Sequence, residues 1–205
     1  LELYHRGLFP IPCGGDDGKR PTGIKGWQRM KRPPRTMIER LALKHAALNV
    51  GVVMGAGSRC TVIDVDAPAH VDLVRERFGD SPLITRTPRG GVHLWYRHDG
   101  EGCGDLRGEG LDVDVEGQGG QIIVPPSYNR VNGRPYEFMR GSWDDLARLP
   151  KIRGGGSMLG RRLEPAPTTG IVVPVASIPE GKRNNMLFKL LLREARTAAS
   201  QHDLL

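Results

Sequence analysis

Apolar residues along this chain fall into short blocks whose spacing alternates between a helical period and a strand period. In "TMIERLALKHAAL", Met37, Ile38, Leu41 and Leu48 form a helical stripe, Thr36 stands where an N-cap belongs, and Glu39 completes a capping box. "NVGVVMG" and "TVIDVDA" are β-branched runs separated by the turn-like "AGSR", and they read as a strand pair. A second helix is expected over 67–78, with Pro68 near its start. "LITRT" and "VHLWYRH" flank "PRGG", and "LDVDV" and "QIIVP" flank "EGQGG", so both pairs read as hairpins. The order helix, strand pair, helix, hairpin, hairpin predicts an α+β domain. Its mixed, largely antiparallel sheet should be flanked by helices, unlike a doubly wound parallel sheet.

The two ends differ from this middle. The first 35 residues are rich in Gly and Pro, as in "CGGDDGKRPTGIKGW" and "KRPPR", and read as loops around short extended pieces. From Gly154, "GGGSMLGRRLEPAPTTGIVVPVASIP" has no stable period and reads as a linker. After it Met186, Leu187, Leu190, Leu191 and Ala195 return to helical spacing, and the stripe reaches Leu205 without an obvious cap, which suggests more protein beyond. The expected layout is a folded domain over 1–160, a linker over 161–179, and the start of a helical region over 180–205.

Composition narrows the class. A chain of 205 residues with 38% hydrophobic content can bury one sizeable core. No apolar run approaches the roughly 20 residues of a membrane span. The start "LELYHRGLFPIP" lacks the basic-then-apolar pattern of a signal peptide, so a cytoplasmic location without membrane partners is expected. Cys13, Cys60 and Cys103 are odd in number, far apart and never arranged as C-x-x-C, so neither disulfides nor zinc are expected. Cys103 with His98 is the one pairing left open for a zinc stem. Charge says more about partners: 30 Lys and Arg against 23 Asp and Glu give +7. The basic residues cluster within 1–35 and 130–162, which favours a polyanion.

Against that basic background, Asp64 and Asp66 sit in the apolar run "TVIDVDA". In a strand they would share one face, with Cα atoms about 6.6–6.8 Å apart, while Val65 turns to the core. Two carboxylates so placed can grip one hard divalent ion or bridge two. Asp112 and Asp114 in "LDVDVEG" repeat the alternation, and a third carboxylate beside the first two would complete a two-metal site for phosphoryl transfer. Between the pairs, "TRTPRGGVHLWY" sets Arg86 and Arg89 around Gly90 and Gly91, with His93 opening the next strand. Exposed glycine amides, two arginines and an imidazole make a candidate triphosphate cradle.

Taken in order, "PTGIKGWQ", "NVGVVMG" leading into "VIDVDAP", "TRTPRGGVHLWY", "LDVDVEGQGGQIIVPPS" and "IPEGKRNNMLFKLLLREA" resemble the bifunctional DNA primase/polymerase domains of the archaeo-eukaryotic primase superfamily, found in phage and plasmid replication proteins. The resemblance implies that 1–160 is a primase/polymerase catalytic domain, and that Asp64, Asp66 and Asp114 hold two Mg²⁺ or Mn²⁺ ions. Asp114 fits the third motif better than Asp112. It implies that His93 contacts the phosphates of the incoming nucleotide, with Gly91 where many superfamily primases have serine. Arg86, Arg89, Gly90 and Gly91 would join His93 around the triphosphate, and Lys25 with the basic C-terminal stretch would meet nucleic-acid backbone. The implied partners are a single-stranded DNA template, a primer strand and NTP or dNTP, with a helicase or other replication module beyond Leu205, in a bacterial host cell. Two rivals stay open: a metal-dependent nuclease, which has less use for a triphosphate cradle, and a non-catalytic DNA-binding replication module.

Overall fold

The computed structural model describes residues 1–154; the expected linker and C-terminal helical region lie outside the described residues. Among the described residues, ten strands and three α-helices alternate. They are α1 (Glu2–His5), β1 (Pro10–Gly14), β2 (Arg20–Pro21), α2 (Arg35–Lys44), β3 (Asn49–Val53), β4 (Cys60–Val65), α3 (Val71–Phe78), β5 (Ile84–Arg86), β6 (Val92–Arg97), β7 (Gly104–Asp105), β8 (Val113–Glu116), β9 (Gln121–Ile123) and β10 (Glu137–Arg140). The fold is mixed α+β with antiparallel strand pairing, built as two sheets where one was expected. Four strands run in the order β2-β1-β3-β9 and six in the order β10-β5-β6-β4-β8-β7.

Two of the expected pairings are therefore different. β3 and β4 are consecutive but lie in separate sheets, and so are β8 and β9; only β5 and β6 form a hairpin of those expected. The reason is that β3 already has β1 and β9 on its two edges, and β4 has β6 and β8. The two crossings between sheets hold each other: Met54 N–H donates to the Gly120 carbonyl at 2.9 Å and Ala56 N–H to Gln118 Oε1 at 2.9 Å.

Side-chain alternation then makes layers. Val52 of β3 and Ile122 of β9 meet Val62 of β4 and Trp95 of β6 in a core between the sheets. Ile63, Val65, Leu94 and Val115 face the other way, onto Val74 and Phe78 of α3. On the far side of the small sheet, Ile11, Val53 and Ile123 pack with Ile38 and Leu41 of α2. α2 starts one residue before Thr36, so the expected cap and capping box do not form; Pro34 holds the N-cap position in extended conformation and its carbonyl takes the first helical bonds. The helix also ends before Leu48.

Candidate active site

β4 is central in the larger sheet, and its neighbours place one row of side chains across the open face. Thr85 pairs with His93, His93 with Asp64, Asp64 with Asp114, and Asp114 with Asp105, each directly opposite the next. Directly opposed residues share a face, so this row looks the same way as Val62 and Trp95, toward the small sheet. Where Val62 and Trp95 close a core, Asp64 and Asp114 reach the rim of the cleft: their side chains are 26% and 30% exposed. Asp66 lies just beyond the strand end, exposed, with its N–H donating to the Asp112 carbonyl at 3.1 Å.

His93 is buried at 3% exposure, and its Nε2 stands 3.6 Å from Asp64 Oδ2. Its Nδ1 lies 3.3 Å from Thr85 Oγ1, which also accepts from Trp95 Nε1 at 3.3 Å. A hydroxyl that accepts from an indole has its own proton free for the imidazole, so Nδ1 accepts and Nε2 carries N–H toward Asp64. Nδ1 is thus committed, while Nε2 faces Asp64 from beyond hydrogen-bond distance. The expected contact of His93 with phosphate would draw on Nε2, which in this structure faces the Asp64 carboxylate.

The carboxylates are tuned in different directions. Burial pushes Asp64 up, but the His93 imidazole, with Lys19 and Arg107 farther off, outweighs it and holds the carboxyl below its ordinary value. Asp66 is raised, by burial first and then by Asp64, Asp112 and Asp114. Glu116 faces the same way as Asp114, two residues on. Burial lifts it to about 7, against a hydrogen bond from the Gln121 N–H, with Asp64 and Asp114 pushing further.

The cations around these groups are partly unexpected. Lys19, from the loop between β1 and β2, acts on Asp64 and Asp66. Its backbone is pinned by Gln121 Nε2 at 3.2 Å. Arg107, in a 3₁₀ turn after β7, forks onto Asp114 through Nη1 and Nη2, the latter at 2.8 Å from Oδ2. Sequence reading placed Lys19 only in the basic cluster within 1–35 and passed over Asp105, Arg107 and Glu116. The only signal for them was their nearness to "CGGDDG" and "LDVDV", since loop residues carry no periodicity that aims them.

Of the expected triphosphate cradle, the structure brings together some members only. The turn from Thr87 to Gly91 closes with Gly90 N–H donating to the Thr87 carbonyl at 3.0 Å, so that amide is not free for a phosphate. Gly91 is packed on the end of β4: a β-carbon there would collide with the Val65 carbonyl and stand 3.0 Å from Asp66 Cα. That contact explains glycine where serine was the alternative. Arg86 pairs with Val92, one step out of phase with Thr85 and His93, and so belongs to the opposite face. Arg89 is exposed on the turn, and its charge reaches Tyr136, whose ring centroid is 6.1 Å from that of His93. Lys25 lines a groove of about 460 Å³ with Met30, Met37, Arg40 and Lys44 that none of the acidic row enters. Cys103 and His98, the pairing left open for a zinc stem, meet different partners: Cys103 Sγ is 3.9 Å from Glu116 Oε2, while His98 bonds Thr61.

Among the described residues no three His, Cys, Asp or Glu side chains stand together as a ready-made metal cage. Even so, the donor set suits a hard divalent ion: Asp64 and Asp114 are opposed carboxylates with Asp66 nearby, and Asp64 Oδ1 is buried without a hydrogen-bond partner. Among the described residues, no helix is long and apolar enough to cross a membrane. No curated protein matches the chain. A comparison with family models matches residues 1–152 to the family described as "Bifunctional DNA primase/polymerase, N-terminal". With the acidic row, His93 and the glycine turn all inside the matched region, the chain belongs to the bifunctional DNA primase/polymerase family.

Proposed function

We propose that this domain extends a nucleic-acid strand by template-directed nucleotidyl transfer in phage or plasmid replication, with Asp64, Asp66 and Asp114 holding two Mg²⁺ or Mn²⁺ ions. The observation that carries this reading is the in-register row His93–Asp64–Asp114 on the face of the larger sheet that looks toward the small one. Bound ions there would favour ionisation of a primer 3′ hydroxyl and neutralise charge developing on the transferred phosphate. The chain's own residues do the positioning. The relay Trp95 to Thr85 to His93 fixes the edge of Asp64 that faces the imidazole, leaving Oδ1 for a ligand. Gly91 lets the 87–91 turn lie against Asp66, bringing Arg89 to the same rim for the triphosphate.

The test is extension of a labelled primer on a DNA template, with dNTP and NTP supplied separately, in Mg²⁺, Mn²⁺ or EDTA. Template-directed lengthening that needs a divalent ion is expected. Shortening of the labelled strand independent of nucleotide would replace this reading with the nuclease, and metal-independent binding with no change in length would replace it with the non-catalytic module.

A further inference from the structure

Arg107 sits on the third proposed metal ligand. Its fork contacts both oxygens of Asp114, and its Nε lies 3.6 Å from Asp112 Oδ1. Asp105, opposite Asp114 across β7 and β8, adds to the pull on the same guanidinium. Three like charges, on β7, on β8 and just before β8, repel, and one arginine compensates them in the protein without metal. Because both Asp114 oxygens are taken, Arg107 and a divalent ion cannot hold that carboxylate fully at once.

We propose that Arg107 is an exchangeable counter-ion: it holds Asp114 until a divalent ion takes the carboxylate, and its freed guanidinium then binds the triphosphate of the incoming nucleotide. The inference rests on the two-ion reading above. Three features make the exchange feasible. The Arg107 side chain is 51% exposed, and an exposed ion pair contributes little, so a divalent ion displaces it readily. Leu106 and the Glu109–Arg77 pair anchor the 3₁₀ turn in the core while the Arg107 side chain itself lies at the surface, so the guanidinium can swing without moving the turn. Asp112 and Asp105 stay as anchors that keep the guanidinium at the rim, and its planar fork matches phosphate oxygens as well as it matches a carboxylate.

The test uses the 205-residue protein and Arg107→Ala, Arg107→Lys, Asp114→Asn and Asp64→Asn variants, with circular dichroism showing that each folds. Mn²⁺ binding without nucleotide is measured by calorimetry, and binding of a non-hydrolysable deoxynucleoside triphosphate by fluorescence in saturating Mn²⁺. Arg107→Ala is expected to bind Mn²⁺ about 2–5-fold more tightly, the scale of an exposed ion pair. It should bind the triphosphate about tenfold more weakly, as loss of a charge-assisted fork implies. Arg107→Lys, which keeps the charge without the fork, should recover part of the triphosphate affinity. Mn²⁺ affinity unchanged or weakened in Arg107→Ala, or triphosphate affinity unchanged, overturns the exchange. Should the wild type show no Mn²⁺ binding that Asp64→Asn and Asp114→Asn remove, the two-ion reading itself fails and takes the exchange with it.

Discussion

Thr61 and Asp64 stand near opposite ends of β4 and on opposite faces of its sheet, and each belongs to a carboxylate–histidine group. At Thr61 the carboxylate is Glu101, fully buried, with one oxygen receiving Thr61 Oγ1 at 2.8 Å, the Asp99 N–H at 2.8 Å and His98 Nδ1 at 3.1 Å. At Asp64 the one close partner is His93 at 3.6 Å; Lys19 and Arg107 act from farther off, and Asp114 stands directly opposite across the strand pair. Each carboxylate keeps one oxygen without a hydrogen bond, so that feature by itself does not mark a site. What separates them is the company. Three fixed donors and closure from water make Glu101 a brace for the fold, while Asp64 is half-buried, has no donor within hydrogen-bond distance and shares its end of the sheet with Asp66 and Asp114, which favours a cation.

The comparison is tested most severely by neutralising each carboxylate. Asp64→Asn is expected to reduce primer extension about 1000-fold, the scale of several kcal/mol of lost charge stabilisation. Its melting temperature in EDTA should stay nearly level. Asp66→Asn should raise it, because burial and then its acidic neighbours hold the Asp66 carboxyl above its ordinary value. Extension that falls only in proportion to the folded fraction would make Asp64 a brace like Glu101. Glu101→Gln is the mirror image: it breaks a buried charged network at about 3 kcal/mol, lowering the melting temperature by roughly 6–12 °C for a chain of this size, while the extension rate of folded protein at low temperature persists. Loss of rate without loss of stability would move Glu101 into the site.

Gly91→Ser probes how the turn meets β4. With the Val65 carbonyl and Asp66 Cα against the added β-carbon, the change should cost about 2 kcal/mol. It should also lower extension beyond what the lost stability explains, since Asp66 must move. A variant as stable and active as the wild type would show that the turn does not rest on the strand end.

Local signals carried much of this into the sequence. The β5–β6 hairpin was legible because its partners are neighbours in the chain, and the alternation in "VIDVD" and "LDVDV" marked two acidic pairs, of which the family resemblance singled out Asp114; that Asp114 stands opposite Asp64 comes from the pairing of β4 with β8. The partition into two sheets was not legible. β3 and β4 look like a pair from their spacing, and only the long-range pairing of β3 with β9 and of β4 with β8 sends them apart. Arg86 shows the same limit at one residue: standing beside the glycine turn suggested the cradle, whereas the pleat assigns it to the opposite face. Lys19 and Arg107 come from turns, where no period aims a side chain, and their role emerges only once three strands bring the carboxylates beside them.

Glu116 lies between the two extremes and gives the smallest expected effect. It shares the face of Asp114, yet its Oε2 accepts the Gln121 N–H at 3.2 Å, and a β-carbon at Gly120 would collide with that oxygen, so it is held more like Glu101 than like Asp66. Burial with Asp64 and Asp114 nearby lifts its carboxyl from 4.5 to about 7. The sign of the pH effect follows. Below about 4.5 the group is protonated in both folded and unfolded chains and costs nothing. As pH rises the unfolded chain ionises first while the folded one keeps its proton, so stability declines until about 7 and levels off above it. Glu116→Gln removes this decline, so in EDTA the variant should gain about 1–2 kcal/mol over the wild type between pH 4.5 and 8, less than the full shift at about 1.4 kcal/mol per unit because the group is only partly buried. Denaturant melts of both proteins across that range give the difference curve directly, in which the other titrating groups cancel. A flat curve would mean that Glu116 ionises as freely as a surface carboxylate and adds its charge to the acidic row at neutral pH.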